Sequence, residues 1–339
     1  MTRAQIPAGE FAERAEPMRR ELLAHCYRML GSVQDAEDVV QETYLKAWRG
    51  YAGFDGRASL STWLYRIATN TCLSTLRHSS RRVLPSGLGA PGEDPSHAPV
   101  AAAADVTWLQ PMPDALVTPE SEDPAVVAEL RESLRLALIA CLQHLTPRQR
   151  AVFVLREVLS FPAAEVAELL GTSVAAVKST LQRARARLDS LSSASEAAVA
   201  TAEPVDRELL EAYVAAFENA DGAAFARLLR TDATLEFPPA ATWFSGRASC
   251  VPLLTSVVGE PADWRMLPST ANGQPAAVSY RRDEQGVHRA FGVAVLTTTP
   301  SGIARVVAFG DPALVGVFGC PPTLPEHPPT RPEPHGGAR

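Results

Sequence analysis

The side chains best suited to recognition chemistry lie between residues 148 and 187. Lys178, Ser179, Gln182 and Arg183 recur at helical spacing, with Arg185 beside them. On one helix face these are short or donor-rich groups. In a major groove Arg and Lys pair with guanine, Gln with adenine and Ser with either. Arg148, Arg150 and Arg156 precede them and suit phosphate oxygens, which fix register without reading sequence.

The elements that must carry these groups follow from the pattern around Gly171. Pro162 opens a short helix with Val166, Ala167, Leu169 and Leu170 on its apolar side. Gly171 ends it. Thr172 or Ser173 caps a second helix whose predicted buried positions are Val174, Val177, Leu181 and Leu188. Small Ala167 lets the helices cross closely, Gly171 makes the turn, and Val177 fills the angle between them. That is what a helix-turn-helix requires. A solvated Arg-rich hairpin would share the charge, but not turn, plug and lean face together.

Upstream, three helical stripes are legible. The first runs from Glu16 to Gly31. The second spans Asp35–Trp48, with Ala36, Val39, Val40, Thr43, Tyr44 and Ala47 on one side. A loop with Gly50, Gly53 and Gly56 follows. The third starts at Ser59 or Ser61, runs to about His78, and carries Leu60, Trp63, Leu64, Ile67, Ala68 and Cys72. Residues 83–125 hold eight prolines, Ala101–Ala104 and most of the acidic excess, so they read as a flexible linker. Within it Trp108–Asp114 reads as a docking segment. Val126–Leu145 reads as one helix, and Thr146-Pro147 starts the next.

At this point the residues resemble a known family. Leu145-Thr-Pro-Arg-Gln-Arg-Ala-Val-Phe-Val-Leu-Arg156, Ala164–Gly171 and Val177–Arg185 resemble region 4 of sigma-70-type factors. Asp35–Trp48 is similar to the polymerase-binding helix of region 2, and Trp63-Leu-Tyr-Arg-Ile-Ala-Thr-Asn70 to its -10 element helix. With only linker between them, the layout resembles the extracytoplasmic-function (ECF) group. The C-terminal part, Trp108–Asp114 and Asn272-Gly273-Gln274-Pro275 resemble its extended, SigG-like members, which carry a SnoaL-like (NTF2-like) domain. The resemblance implies an initiation factor rather than an enzyme, without cofactor or metal. Its partners would be core RNA polymerase (β′ and β subunits), promoter DNA and a possible anti-sigma factor, with no membrane.

The resemblance also implies roles. Asp35, Glu37, Asp38, Gln41 and Glu42 would face the basic coiled coil of β′. Gly50, Phe54, Trp63, Arg66, Asn70 and Arg77 would form the -10 surface. There the loop 50–59 and the Asn70 amide would hold a flipped base, whose Watson–Crick edge an amide can read. Trp63 is expected chiefly as core. Arg81 and Arg82 would join Arg66 and Arg77 on phosphates. Arg156, Lys178, Ser179, Gln182, Arg183 and Arg185 would read the -35 element. Lys178 and Gln182 stand where the family often has Arg or an aromatic, so the preferred sequence does not transfer.

Charge and composition agree with two nucleic-acid-facing modules. Residues 1–90 carry 12 basic and 9 acidic groups, residues 91–132 carry 1 and 9, residues 146–188 carry 7 and 3, and residues 203–324 carry 9 and 13. Two basic modules thus flank an acidic spacer. Five scattered cysteines, with no CxxC, disfavour a zinc site or disulfide framework. Cys26, Cys72 and Cys141 are expected as buried thiols of a cytoplasmic protein, nucleoid-associated when bound to polymerase. The expected organisation is multidomain. An all-α module at 10–85 precedes a linker at 86–125, and an all-α helix-turn-helix module spans 126–192. An α+β curved-sheet domain at 204–320 precedes a disordered tail at 321–339.

That last domain is expected to regulate in cis. Its single His288, with Asp232, Glu236, Asp263 and Asp311, makes a poor acid/base set. Trp243, Phe244, Trp264, Tyr280 and Phe291 are candidate lining for a ligand pocket. The competing readings are a helix-turn-helix regulator with a small-molecule-binding C-terminal domain, and an enzyme with a DNA-binding N-terminus. Neither needs the Asp35–Trp48 helix or the Trp63–Asn70 segment.

Overall fold

A computed structural model describes residues 8–54, 56, 58–77, 79–96, 100–118, 123–192 and 203–324. Most of the expected Ser/Ala-rich stretch at 191–203, and the tail from 325, lie outside the described residues. Among the described residues no helix is long and apolar enough to cross a membrane.

The first module comprises α1 (Ala8–Ala15), α2 (Arg19–Leu30), α3 (Val33–Gly50) and α4 (Leu60–Thr75). Ser32 Oγ accepts the Asp35 N–H at 3.1 Å and Ser59 Oγ the Thr62 N–H at 3.0 Å, so each long helix starts on a side-chain cap. The predicted stripe of α3 is buried at Ala36, Val39, Val40, Thr43 and Ala47. Gly31 ends α2 with φ +70°, where a Cβ would also come within 3.1 Å of Gln143 in the second module. Glycine is needed there for conformation and for close approach.

The second module holds α5 (Pro124–Leu134), α6 (Leu136–Leu142), α7 (Pro147–Phe153), one π-helical turn (Val154–Val158), α8 (Ala163–Leu169) and α9 (Val174–Ser192). The single helix expected over 126–145 is broken at Arg135, whose ψ is 134°. The cause is tertiary: the Leu136 N–H is taken by Gln274 Oε1 at 3.0 Å rather than by a helical carbonyl. Thr146 and Gln149 form a capping box with Pro147 behind the cap. The helix-turn-helix is built as read: Gly171 has φ +58°, and Ala167 and Val177 are buried. Val174 departs from the reading and is exposed.

The third module contains α10 (Glu203–Glu218), α11 (Gly222–Leu228), β1 (Leu229–Glu236), β2 (Trp243–Ser245), α12 (Arg247–Val258), β3 (Trp264–Ala271), β4 (Gln274–Arg282), β5 (His288–Thr299), β6 (Gly302–Phe309), α13 (Pro312–Val317) and β7 (Thr323–Leu324). The sheet order is β2-β1-β6-β5-β4-β3, with β7 on β5. β1 and β6 run parallel; the remaining pairs are antiparallel. This is the expected curved-sheet arrangement. Alternation along the strands creates two apolar faces. Ala277, Ala294, Leu296 and Val306 pack with Tyr213, Phe217, Phe225 and Trp264 under the module's own helices. Val278, Tyr280, Val293, Val295, Val307 and Phe309 belong instead to the core shared with the first two modules. Burial on both sides is why these strands read as nearly continuous apolar runs.

The linker departs from the flexible coil expected of it. Val83 donates to Thr107 O and Leu109 to Val83 O, both at 3.0 Å, and Gln110 donates to Gly31 O at 3.0 Å. Trp243 Nε1 donates to Gly89 O at 2.8 Å, and Gly92 N to Trp243 O at 2.7 Å. Leu109 and Met112 are fully buried. Prolines deny this segment regular structure, yet its few apolar side chains find a prepared surface.

Candidate nucleic-acid interface

On α9 the side chains of Lys178, Ser179, Gln182 and Arg183 are exposed on one face. Arg183 Nη2 donates to Thr180 Oγ1 at 3.2 Å, a weak tether from within the helix. Arg185 is paired with Glu157 at 2.7 Å, and Arg156 donates to Phe161 O in the turn before α8. Arg156 therefore holds the turn. Arg148 donates to Leu170 O at 3.2 Å. Arg150 is a correction to the phosphate expectation. It is buried, donates to Met29 O and to Gln143 Oε1, and joins the second module to the first.

On α4, Arg66 and Asn70 lie one turn apart and exposed, with exposed Arg77 beyond the helix end. Trp63 is half-buried in an aromatic cluster, 5.0 Å from Phe54 and 6.4 Å from Tyr51 between ring centroids. A Cβ on Gly50 would meet the Trp63 ring at 3.3 Å, so glycine there lets the loop close over the indole. Asp55 and Arg57 of that loop lie outside the described residues. Arg81 meets His144 Nδ1 at 3.0 Å. Arg82 is a second correction: it donates to Asp35 Oδ2 at 2.6 Å and Trp108 O at 2.7 Å and is unavailable to phosphate here.

The acidic set on α3 therefore divides. Asp35 is held by Arg82, and Glu37 by Arg19 at 2.6 Å. Glu42 pairs with Lys46 one turn on at 2.7 Å, while Asp38 and Gln41 are exposed. The same helix presents two large apolar groups, Leu45 (53% exposed) and Trp48 (54%). Sequence reasoning missed Leu45, and took Trp48 only as part of a helix. The available signal was their place, off the buried stripe.

The three modules meet at the β3–β4 turn. Asn272, fully buried at φ +58°, donates through Nδ2 to Tyr27 Oη (2.8 Å) and Leu134 O (2.7 Å). Its Oδ1 accepts the Met112 N–H at 2.9 Å, and its own N–H donates to Met112 O at 2.9 Å. The Gly273 N–H reaches Asp114 Oδ1 at 2.8 Å. Tyr27 donates onward to Gln110 O at 2.8 Å, and burial pushes its phenol well above the usual range. One turn thus touches α2, α5 and the linker. A Cβ on Gly273 would sit 2.6 Å from Arg131 O, so the turn lies flush on α5.

Within the third module two of the candidate pocket aromatics meet, Trp264 and Phe291, edge to face with ring centroids 4.9 Å apart, but the five do not line one pocket. Phe244 and Trp264 lie on the helix side of the sheet and Tyr280 on the other, Trp243 holds the linker, and Phe291 is 37% exposed. The acids are structural partners: Asp232 of Arg230, Asp263 of Arg282, Glu236 of Arg305, and Asp311 the cap of α13. His288 Nε2 lies 2.9 Å from Ala262 O.

Comparison with known proteins places these modules. Residues 15–82 match Sigma-70 region 2 and residues 135–188 match Sigma-70 region 4. The chain is 48% identical over 319 residues to the ECF RNA polymerase sigma factor SigG of Mycobacterium tuberculosis, covering 93% of this chain and 85% of that protein. It is 35% identical over 174 residues to SigJ of the same organism, half of this chain and 47% of that one. The crystal structure of M. tuberculosis SigJ superposes with a TM-score of 0.59 at 23% identity, covering 92% of this chain and 99% of that chain.

Proposed function

The chain belongs to the ECF RNA polymerase sigma factors, and from that premise we propose how its residues divide the work of initiation and how its third module restrains them. Sigma factors lend promoter specificity to core polymerase and are not enzymes. Here Lys178, Ser179, Gln182 and Arg183 read the -35 element, with Arg185 and Arg156 in support. Asn70, Arg66 and Arg77 serve the -10 element, and the Gly50–Phe54 loop and Trp63 shape its pocket. Asp38, Gln41 and Glu42, with Leu45 and Trp48, dock on core polymerase. Charges set encounter and register, and the apolar pair supplies the buried centre. Asp35 and Glu37 join once their intramolecular partners let go. The protein acts in the cytoplasm.

The third module works as an in-cis clamp. The observation that carries this is the Asn272 turn, bonded to the first module, the second module and the linker together. The -10 and -35 elements are separate stretches of duplex, so the modules that read them must part. In this arrangement Arg150 bridges them through Met29 O, and Tyr65 and Phe161 meet edge to face at 5.3 Å. A chain held this way presents α9 but cannot span both elements. The test is run-off transcription with core polymerase, comparing the full chain with residues 1–203. The shorter chain should transcribe more from the same promoters; equal or lower yield contradicts the clamp. Specific promoter binding by the chain without polymerase would instead favour a free-standing regulator.

A further inference from the structure

The clamped arrangement leaves an open cavity of about 510 Å³ beside the Asn272 turn, within the size range of small-molecule sites. No single module forms it. The linker contributes Asp114, the second module Arg131, and the third module Asp206, Arg207, Glu211 and the rim of the β3–β4 hairpin. Three carboxylates and two guanidinium groups line it, and Asp206 among them accepts from Thr298 Oγ1 at 2.5 Å. Asp114 is buried, and burial raises its carboxyl from its ordinary value despite the Gly273 N–H, Thr270 and Arg131 beside it. Glu211 and Arg207 are exposed at the edge on α10, and Leu210 and Pro268 supply apolar wall.

We propose that this cavity, shared by the linker and the second and third modules, is an effector site for a small organic cation, an aliphatic amine whose ammonium group faces Asp114 and Glu211 and whose methylene chain lies along Leu210. The assignment rests on the clamp reading given above. It also fixes the sign of the effect. The site is complete only while the linker and the second module are docked on the third, so its ligand favours the closed state. Such a ligand must shift the population toward closure. The amine is a co-inhibitor of initiation, not an inducer.

The test uses the full chain, with putrescine and spermidine as probes and succinate as an anion of similar length. At about 10 mM the amines should raise the thermal midpoint by roughly 2 °C or more. Glu211→Gln and Asp114→Asn should each remove most of that shift, while Glu165→Gln on distant α8 should keep it. Glu211 is exposed, so its variant does not depend on the fold surviving loss of a buried group. Run-off yield with core polymerase should fall about tenfold with amine for the wild type, and not for Glu211→Gln. No midpoint shift with either amine overturns the site, as does a shift that both site variants retain or an equal shift with succinate. A site-dependent shift that leaves transcript yield unchanged overturns the co-inhibitor role. Because the midpoint is read without polymerase, failure of the site is separate from failure of the clamp.

Discussion

Replacing Asn272 tests the clamp at its centre. Asn272→Ala removes a donor to Leu134 O, a donor to Tyr27 Oη and the acceptor of the Met112 N–H, all away from solvent. Each buried group left unpaired costs about 1–3 kcal/mol, and only in the closed state, since opening returns them to water. Counting only Leu134 O and the Met112 N–H at about 1.4 kcal/mol each gives nearly 3 kcal/mol, or roughly a hundredfold shift toward the open state. The residue also sits at φ +58°, where Ala is strained and Asn tolerated, which adds in the same direction. Tyr27→Phe is the milder companion. It deletes one hydroxyl that bridges Asn272 and Gln110, about 1–1.5 kcal/mol and roughly tenfold. Run-off yield from saturating template should rise in the order wild type, Tyr27→Phe, Asn272→Ala, towards the level of residues 1–203. Small-angle scattering should show the radius of gyration rising in the same order. Unchanged yield and unchanged radius for both variants would refute the reasoning, and so would a fall in yield with the thermal midpoint intact.

Three further outcomes follow from the geometry. Arg183→Ala should weaken binding to a -35 duplex about 10- to 100-fold with no loss of thermal stability, since its one intramolecular bond is exposed, whereas Arg156→Ala should lower the thermal midpoint because it holds the Phe161 carbonyl. Trp48→Ala should weaken assembly with core polymerase at least tenfold in a competition assay while leaving the melting curve of the free chain unmoved, because the indole is half exposed and supports no core. His25 is buried, holds Thr69 Oγ1 at 2.9 Å, and is lowered to about 3 by burial and the Arg28 charge, so the unfolded chain takes up a proton near pH 6.5 that the folded chain refuses. Stability is therefore lost as pH falls below 6.5, by about 2 kcal/mol between 6.5 and 5, and urea midpoints at those two pH values should converge for His25→Gln relative to wild type.

The helix-turn-helix was legible because its determinants are local. Ala167, Gly171 and Val177 act across ten residues, and the exposed face of α9 needs only helical periodicity. The caps Ser59 and Thr146 were legible for the same reason, whereas the cap at Ser32 was not singled out. What stayed hidden is tertiary. The break at Arg135 depends on Gln274, 138 residues from the amide it accepts. Outside Trp108–Asp114, which was read as a docking segment and does dock on the Asn272 turn, the linker looked free because proline content reports the lack of regular structure, not the lack of a surface to bind. The phosphate roles expected of Arg82 and Arg150 failed for one reason: an Arg suits a carboxylate or carbonyl as well as a phosphate, and only the fold decides which it meets.

The Arg82 contacts carry the coupling one step further. Asp35 lies on α3, the helix proposed above to meet core polymerase, and its partner Arg82 is also bonded to Trp108 O, in the linker segment that the third module helps to hold. Polymerase that recruits Asp35 takes away one of the two acceptors of Arg82 and loosens the linker from the first module. The clamp, while closed, keeps Asp35 occupied. These are two descriptions of one free energy: whatever factor closure costs in affinity for core polymerase, bound core polymerase costs the closed state the same factor. Opening therefore does not require a signal acting on the third module alone. On the proposed clamp, polymerase binding itself would do part of the work, and a clamp of about 3 kcal/mol at Asn272 is within its reach.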